Sequence, residues 1–262
     1  GTIADIVPLV GENRVIARLG LRRMRETSNH GIRAILDAAG VGVSRVDERT
    51  CGWVIGPRLN AIGRLDDAGV GLDLLLTDDS AEATRLARIV EVANQRRRSI
   101  TQQIEEEAVA MVEAIPNFDD IWGIALFGGE GWHVGVVGIV ASRLVERYGR
   151  PVFLFARDQE SGLWKGSGRA PDVPHLHLAE MLAECADYLK AFGGHERAAG
   201  ATLKTGTLEE QNAFALAFNH AAKRRMTEAD RVPVISIDLV VDLQDITSEF
   251  YRYYRMFAPF GE

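Results

Sequence analysis

The stretch SAEATRLARIVEVANQRRRSITQQIEEEAVAMVEAI, residues 80–115, contains neither glycine nor proline. Leu86, Ile89, Val90, Ala93, Ile100, Ile104, Ala108, Met111, Val112 and Ile115 recur at three- and four-residue steps, the spacing of one helical face. Asp79 or Ser80 supplies an N-terminal cap, and Pro116-Asn117 ends the run. At 1.5 Å per residue such a helix is roughly 50 Å long, more than one small domain needs. A helix of this length joins two bodies, and the text on its two sides differs accordingly.

Before it, residues 1–79 read as helical pieces with Gly-rich connections and one short strand, the apolar opening Gly1-Thr-Ile-Ala-Asp-Ile-Val-Pro8. Ile32, Ile35 and Leu36 mark a helix over 29–39. After it, strands and helices alternate. Strands are expected at 121–127, 151–155, 163–168 and 198–203, and helices at 134–148, 177–189 and 207–225. Thr207 with Glu210 three residues on is a capping box. This is α/β layering, a sheet covered by helices. From Val234 a run of β-branched residues predicts the first strand of a third unit. The apolar first residues and the closing Met256-Phe-Ala-Pro-Phe-Gly-Glu262 predict that the chain is a piece of a longer protein.

Composition narrows the class. Hydrophobic residues make up 47% and charged residues 26% of 262, which excludes a disordered or fibrous chain. No apolar run approaches the ~20 residues of a membrane helix, and no basic start leads into a signal segment. Cys51 and Cys185 stand alone, without a disulfide framework or zinc spacing, which fits a reducing cytoplasm. The net charge of −7 does not exclude a nucleic-acid partner, because binding depends on the local field at the phosphates. Arginines are bunched at 22–25 and 96–98, although each bunch also reads as a solvated helix face.

Four segments and one carboxylate have the chemistry of a phosphate-handling site. Lys165-Gly-Ser-Gly-Arg169 ends an apolar strand. Its glycines free the backbone toward an anion, Ser167 adds a hydroxyl and Arg169 a planar fork, although a plain Gly-rich turn fits equally. Phe192-Gly-Gly-His-Glu-Arg-Ala-Ala-Gly200 lets the main chain pass close to a ligand at Gly193 and Gly194 and aims His195 at it; the bland alternative is a helix C-cap followed by a structural histidine. Gly131-Trp-His-Val-Gly-Val-Val-Gly138 opens a helix after a strand and sets His133 beside the positive end of a helix dipole, with glycine spacing that excludes the dinucleotide fingerprint. In 56–65, GPRLNAIGRL, Arg58, Asn60 and Arg64 in a stiff loop suit backbone and base contacts on a single strand, or a surface connection with solvated arginines. Asp5 sits among apolar neighbours, where a carboxylate needs a cation or a partner, or else caps a turn. His175 and His177 read as an inert surface pair.

Taken in order, TIADIVPL, GPRLNAIGRLDDA, GWHVGVVGIVASRLVERYGRPV, KGSGRA, FGGHERAAG and FAPFGE resemble the RecJ family of single-strand-specific DNA exonucleases, within the DHH phosphoesterase superfamily. The Gly-Gly-His segment by itself would mark only a DHH-associated domain, which short-oligonucleotide phosphodiesterases and alanyl-tRNA synthetases also have. The resemblance implies that 1–79 is the tail of a DHH catalytic domain and 80–115 a connecting helix. It makes 116–230 an α/β DHH-associated domain with a central mixed sheet, and 231–262 the entry to an OB-fold.

It further implies a 5′-to-3′ exonuclease acting in DNA repair and recombination. Two Mn2+ or Mg2+ ions would activate water, and 5′-mononucleotides would be released. Asp5 matches the last metal-binding carboxylate, with the other ligands upstream of Gly1, so the chain alone is expected to be inactive. Ser167, Gly168 and Arg169 would hold the 5′ phosphate, while Gly193, Gly194, His195, His133, Arg58, Asn60 and Arg64 would line the strand's path. Ala170 departs from the family's usual serine, which removes one hydrogen bond to that phosphate. The expected partner is single-stranded DNA with a 5′ end, bound by a monomer without a membrane. The alternatives are a phosphodiesterase for short oligonucleotides or cyclic dinucleotides, and a non-catalytic single-strand-binding relative.

Overall fold

The computed structural model describes residues 1–65, 67–232, 235 and 237–261. The chain divides into two compact units, Gly1–Arg97 with Ser236–Glu262, and Arg98–Ile235.

In the first unit, α1 (Gly11–Met24), α2 (His30–Ala38), a π-helix (Thr50–Ile55), α3 (Gly56–Leu65), α4 (Gly69–Leu76) and the first half of α5 (Ser80–Glu113) surround a core of Leu21, Ile35, Leu36, Val46, Ile55, Leu74, Leu86 and Val90. Asp79 caps α5, its carboxylate accepting from the Ala81 amide at 2.8 Å. The opening segment is not the expected strand. Asp5 N–H donates to the Gly1 carbonyl, Ile6 N–H to Ile3 and Val7 N–H to Thr2. Its polar backbone is thus satisfied locally in turns, and Ile6 is 62% exposed. The run 56–65 is likewise a helix rather than a loop. Pro57 in the first turn lacks an N–H that would be unsatisfied there anyway, and Ala61 and Ile62 go to the core. The strand expected from Val234 falls partly outside the described residues. The described residues 237–247 contain no strand, and α9 (Ser248–Met256) follows them.

The second unit is a five-stranded mixed sheet of order β1-β2-β3-β5-β4. Its strands are β1 (Ile124–Phe127), β2 (Val152–Arg157), β3 (Trp164–Arg169), β4 (Leu189–Gly194) and β5 (Ala198–Leu203). β1 and β2 are parallel and joined by α6 (Val137–Tyr148), which packs on β2 and β3; the other pairings are antiparallel. The opposite face carries α7 (Leu178–Glu184) and α8 (Leu208–Lys223). There Phe153, Phe155, Phe214 and Phe218, all fully buried, pack ring against ring.

The helix expected at 177–189 ends at Glu184, with a 3₁₀ turn at Ala186–Tyr188, and the next six residues form the edge strand β4. Of these six only Leu189 is buried, so the segment has no hydrophobic alternation to announce a strand. Only half of the capping box forms. Thr207 accepts from the Glu210 amide, but the Glu210 carboxylate accepts from the Thr205 and Gly206 amides instead of Thr207.

Candidate nucleic-acid interface

Pleating sorts the residues of β3. A Cβ on Gly166 would lie 2.6 Å from the Phe153 and Phe155 rings, and one on Gly168 would lie 2.3 Å from the Phe153 ring. These glycines make room for the aromatic core. The segment is therefore the interior of the central strand and not a turn offering its amides to an anion, and Gly168 points away from the other candidates. Lys165, Ser167 and Arg169 take the opposite face, under α6.

On that face α6 comes very close. A Cβ on Gly138 would sit 3.2 Å from Arg169 Nη2, 3.3 Å from Ser167 Cβ and 3.5 Å from Ser167 Oγ. The first turn of α6, where unpaired amides and the positive dipole end gather, thus lies against a hydroxyl and a guanidinium. Gly138 was not singled out as a site residue. Its signal is its place in the first turn of a helix that follows a Gly-rich loop, which gains meaning only once β3 is beside it. His133 is half-buried in that loop, and its Nδ1 accepts from the Gly135 amide at 3.1 Å. In the neutral ring this leaves the proton on Nε2 as a donor.

The register carries the face outward. Ser167 pairs with Gly200, and Gly200 with Gly193, at the exposed end of the sheet. A Cβ on Gly193 would meet nothing within 4 Å, and one on Gly200 only the Gly166 carbonyl at 3.7 Å. Neither glycine is required by internal packing. Bare backbone in a strand suits the close approach of another chain.

Gly194 differs. At φ 155° with a hypothetical Cβ 2.4 Å from the Ala198 carbonyl, it is required by the β4–β5 turn. His195, next in that turn, is exposed, and its N–H donates to Ala198 at 2.8 Å. His177, Gly194, His195, Glu196, Arg197 and Ala198 line an open depression of about 520 Å³.

In the first unit, Arg58 is committed internally. Its guanidinium pairs with Glu91 at 2.6 Å and donates to the Val54 carbonyl at 3.0 Å, holding α3 to α5. Asn60 and Arg64 are exposed on α3. Asp5 is exposed in its turn, so no burial demands a cation there. Among the described residues no group of three or more His, Cys, Asp or Glu side chains is placed to hold a metal ion. The donors among the described residues therefore do not make a two-metal site.

Residues 109–224 match the DHHA1 domain family. The chain is 40% identical to the single-stranded-DNA-specific exonuclease RecJ of Bacillus subtilis over 261 residues, covering 100% of this chain and 32% of that protein. It is also 40% identical to the Escherichia coli RecJ over 211 residues, 78% of this chain and 36% of that one. The crystal structure of Thermus thermophilus RecJ in complex with Mg2+ superposes with a TM-score of 0.84 at 32% identity, covering 99% of this chain and 38% of that one. A structure of exonuclease RecJ bound to manganese gives a TM-score of 0.71 at 35% identity over 85% of this chain and 53% of that one. The chain spans about a third of the length of these curated relatives. The likeness to these RecJ proteins runs through both units of the chain.

Proposed function

We propose that this chain is the strand-gripping part of a 5′-to-3′ exonuclease that releases 5′-mononucleotides from single-stranded DNA in repair and recombination. The observation that carries the reading is the meeting of Ser167 and Arg169 with the first turn of α6 at Gly138. A hydroxyl, a guanidinium whose Nη1 also donates to the Gly168 carbonyl at 2.8 Å, and the positive end of a helix converge there, a set suited to a terminal phosphate. The strand then runs over Gly200 and Gly193, with His133 and His195 beside it. Asn60 and Arg64, exposed on α3 of the other unit, are separate candidates for strand contacts. Residues 1–79 correspond to the tail of the DHH catalytic domain, 80–115 to the connecting helix, 116–230 to the DHH-associated domain and 231–262 to the entry of an OB-fold. The protein works as a cytoplasmic monomer on strands with a free 5′ end.

RecJ structures are known in complex with Mg2+ and bound to manganese; such ions would activate water for attack on a phosphodiester. Asp5 alone does not supply that site, so this chain binds DNA without cleaving it. Manganese-dependent release of nucleotides by the pure chain would contradict this.

The phosphate assignment is tested with Arg169→Ala. Its affinity for 5′-phosphorylated strands should fall at least tenfold, roughly the worth of a charge-assisted contact, while 5′-hydroxyl strands bind nearly as before. An equal loss for both ends would overturn the assignment.

A further inference from the structure

On β3 the residues facing α6 are Lys165, Ser167 and Arg169, each two positions from the next and so about 6.6–6.8 Å apart along the strand. The proposed site uses the second and third of these. Lys165 is beside Thr202 of β5, as Ser167 is beside Gly200. Its side chain is 44% exposed, and its ammonium lies 3.2 Å from Asp158 Oδ2. The other oxygen of that carboxylate, Oδ1, is already taken by the Ser161 amide and hydroxyl in the β2–β3 turn.

We propose that Lys165 is a further strand-contacting residue, taking the phosphate next to the terminal one held by Ser167 and Arg169. This rests on the reading of that pair as the 5′-phosphate site. Lysine is suited to the task, as a compact charge on a flexible stem whose three donors serve Asp158 and a passing phosphate together. An internal phosphate is present whatever group ends the strand. Lys165 therefore contributes to affinity without contributing to recognition of the 5′ end. The simpler role, a clamp between Lys165 and Asp158 across the hairpin, predicts a different pattern of variants.

The test is the salt dependence of binding to single-stranded oligothymidylate, with a 5′ phosphate and with a 5′ hydroxyl, for the parent chain and the variants K165A, K165R, D158N and R169A. K165A should weaken both oligonucleotides by about tenfold and make the log–log salt slope shallower by about 0.7, the share of one single-strand phosphate contact. K165R should keep the parent slope. D158N, which leaves the ammonium unpaired, should bind as tightly as the parent or tighter. A parent-like slope and affinity in K165A, beside a selective loss in R169A, overturns this inference and leaves the 5′-phosphate site standing. So does a D158N variant that loses affinity in step with K165A, since that is the behaviour of a clamp. A parent-like R169A instead overturns the reading of the site, and this inference with it.

Discussion

Gly168 and Gly200 are the same residue type on neighbouring strands, yet they do opposite things. Gly168 is buried, and a methyl group there would overlap the Phe153 ring and press on Leu178. Gly168→Ala should therefore lower stability by about 1–3 kcal/mol or more, the range of core overpacking, read from urea unfolding. Gly200→Ala has room, and in a strand it should be neutral or gain up to about 1 kcal/mol. Equal losses for the two would show that the faces of β3 and β5 are assigned wrongly. This distinction was not legible in the string Lys165-Gly-Ser-Gly-Arg169, because the rings that demand the glycines belong to β2. The hydroxyl and the guanidinium were legible, since their chemistry does not depend on the neighbour.

The Asp158 carboxyl is held from the usual 3.8 down to about 2 by the Ser161 hydroxyl and amide, with Lys165 adding to this. A depressed carboxyl stabilises the fold above its unfolded pKa and loses that contribution as pH falls through the folded one. The β2–β3 turn should accordingly hold at about pH 4 and loosen toward pH 2. The Asp158 carboxyl carbon and Ser161 amide shifts in an NMR titration report it; a midpoint near 3.8 would contradict the hydrogen bonds.

At the scale of elements, α8 is fastened to the sheet by one amide side chain. Asn219 Oδ1 accepts from the Trp122 and Gly123 amides at 2.7 and 3.2 Å, just before β1 begins. Asn219→Leu strands two backbone donors and should reduce stability by about 1–3 kcal/mol, with protection from hydrogen exchange lost first at those two amides. Unchanged exchange there would mean that the contact is incidental. α5 was the most legible element because its apolar face repeats for many turns and its stop is a proline. β2 was legible because nearly all of it is buried. β4 was not, since a glycine-bearing edge strand with a single buried residue has neither periodicity nor β-branched side chains. α3 was read as a loop because Gly56 and Pro57 look like punctuation, whereas here they open a helix.

For the whole molecule, a net charge of −7 and a proposed grip on phosphates are compatible only if the local field outweighs the total. Ser167, Arg169, Lys165 and the start of α6 supply that field on one face of one sheet. The likeness to RecJ proteins was legible from six short motifs in order. What each motif does in space depended on strand pairing, which brings Ser167, Gly200 and Gly193 into one row although they are far apart in sequence. The most direct measurement is the affinity of this chain for a fluorescent single-stranded DNA, with and without a 5′ phosphate, across a salt titration. The account predicts tighter binding of the phosphorylated strand and a loss of affinity as salt rises. Binding that ignores the 5′ phosphate, or no binding at low salt, would contradict it.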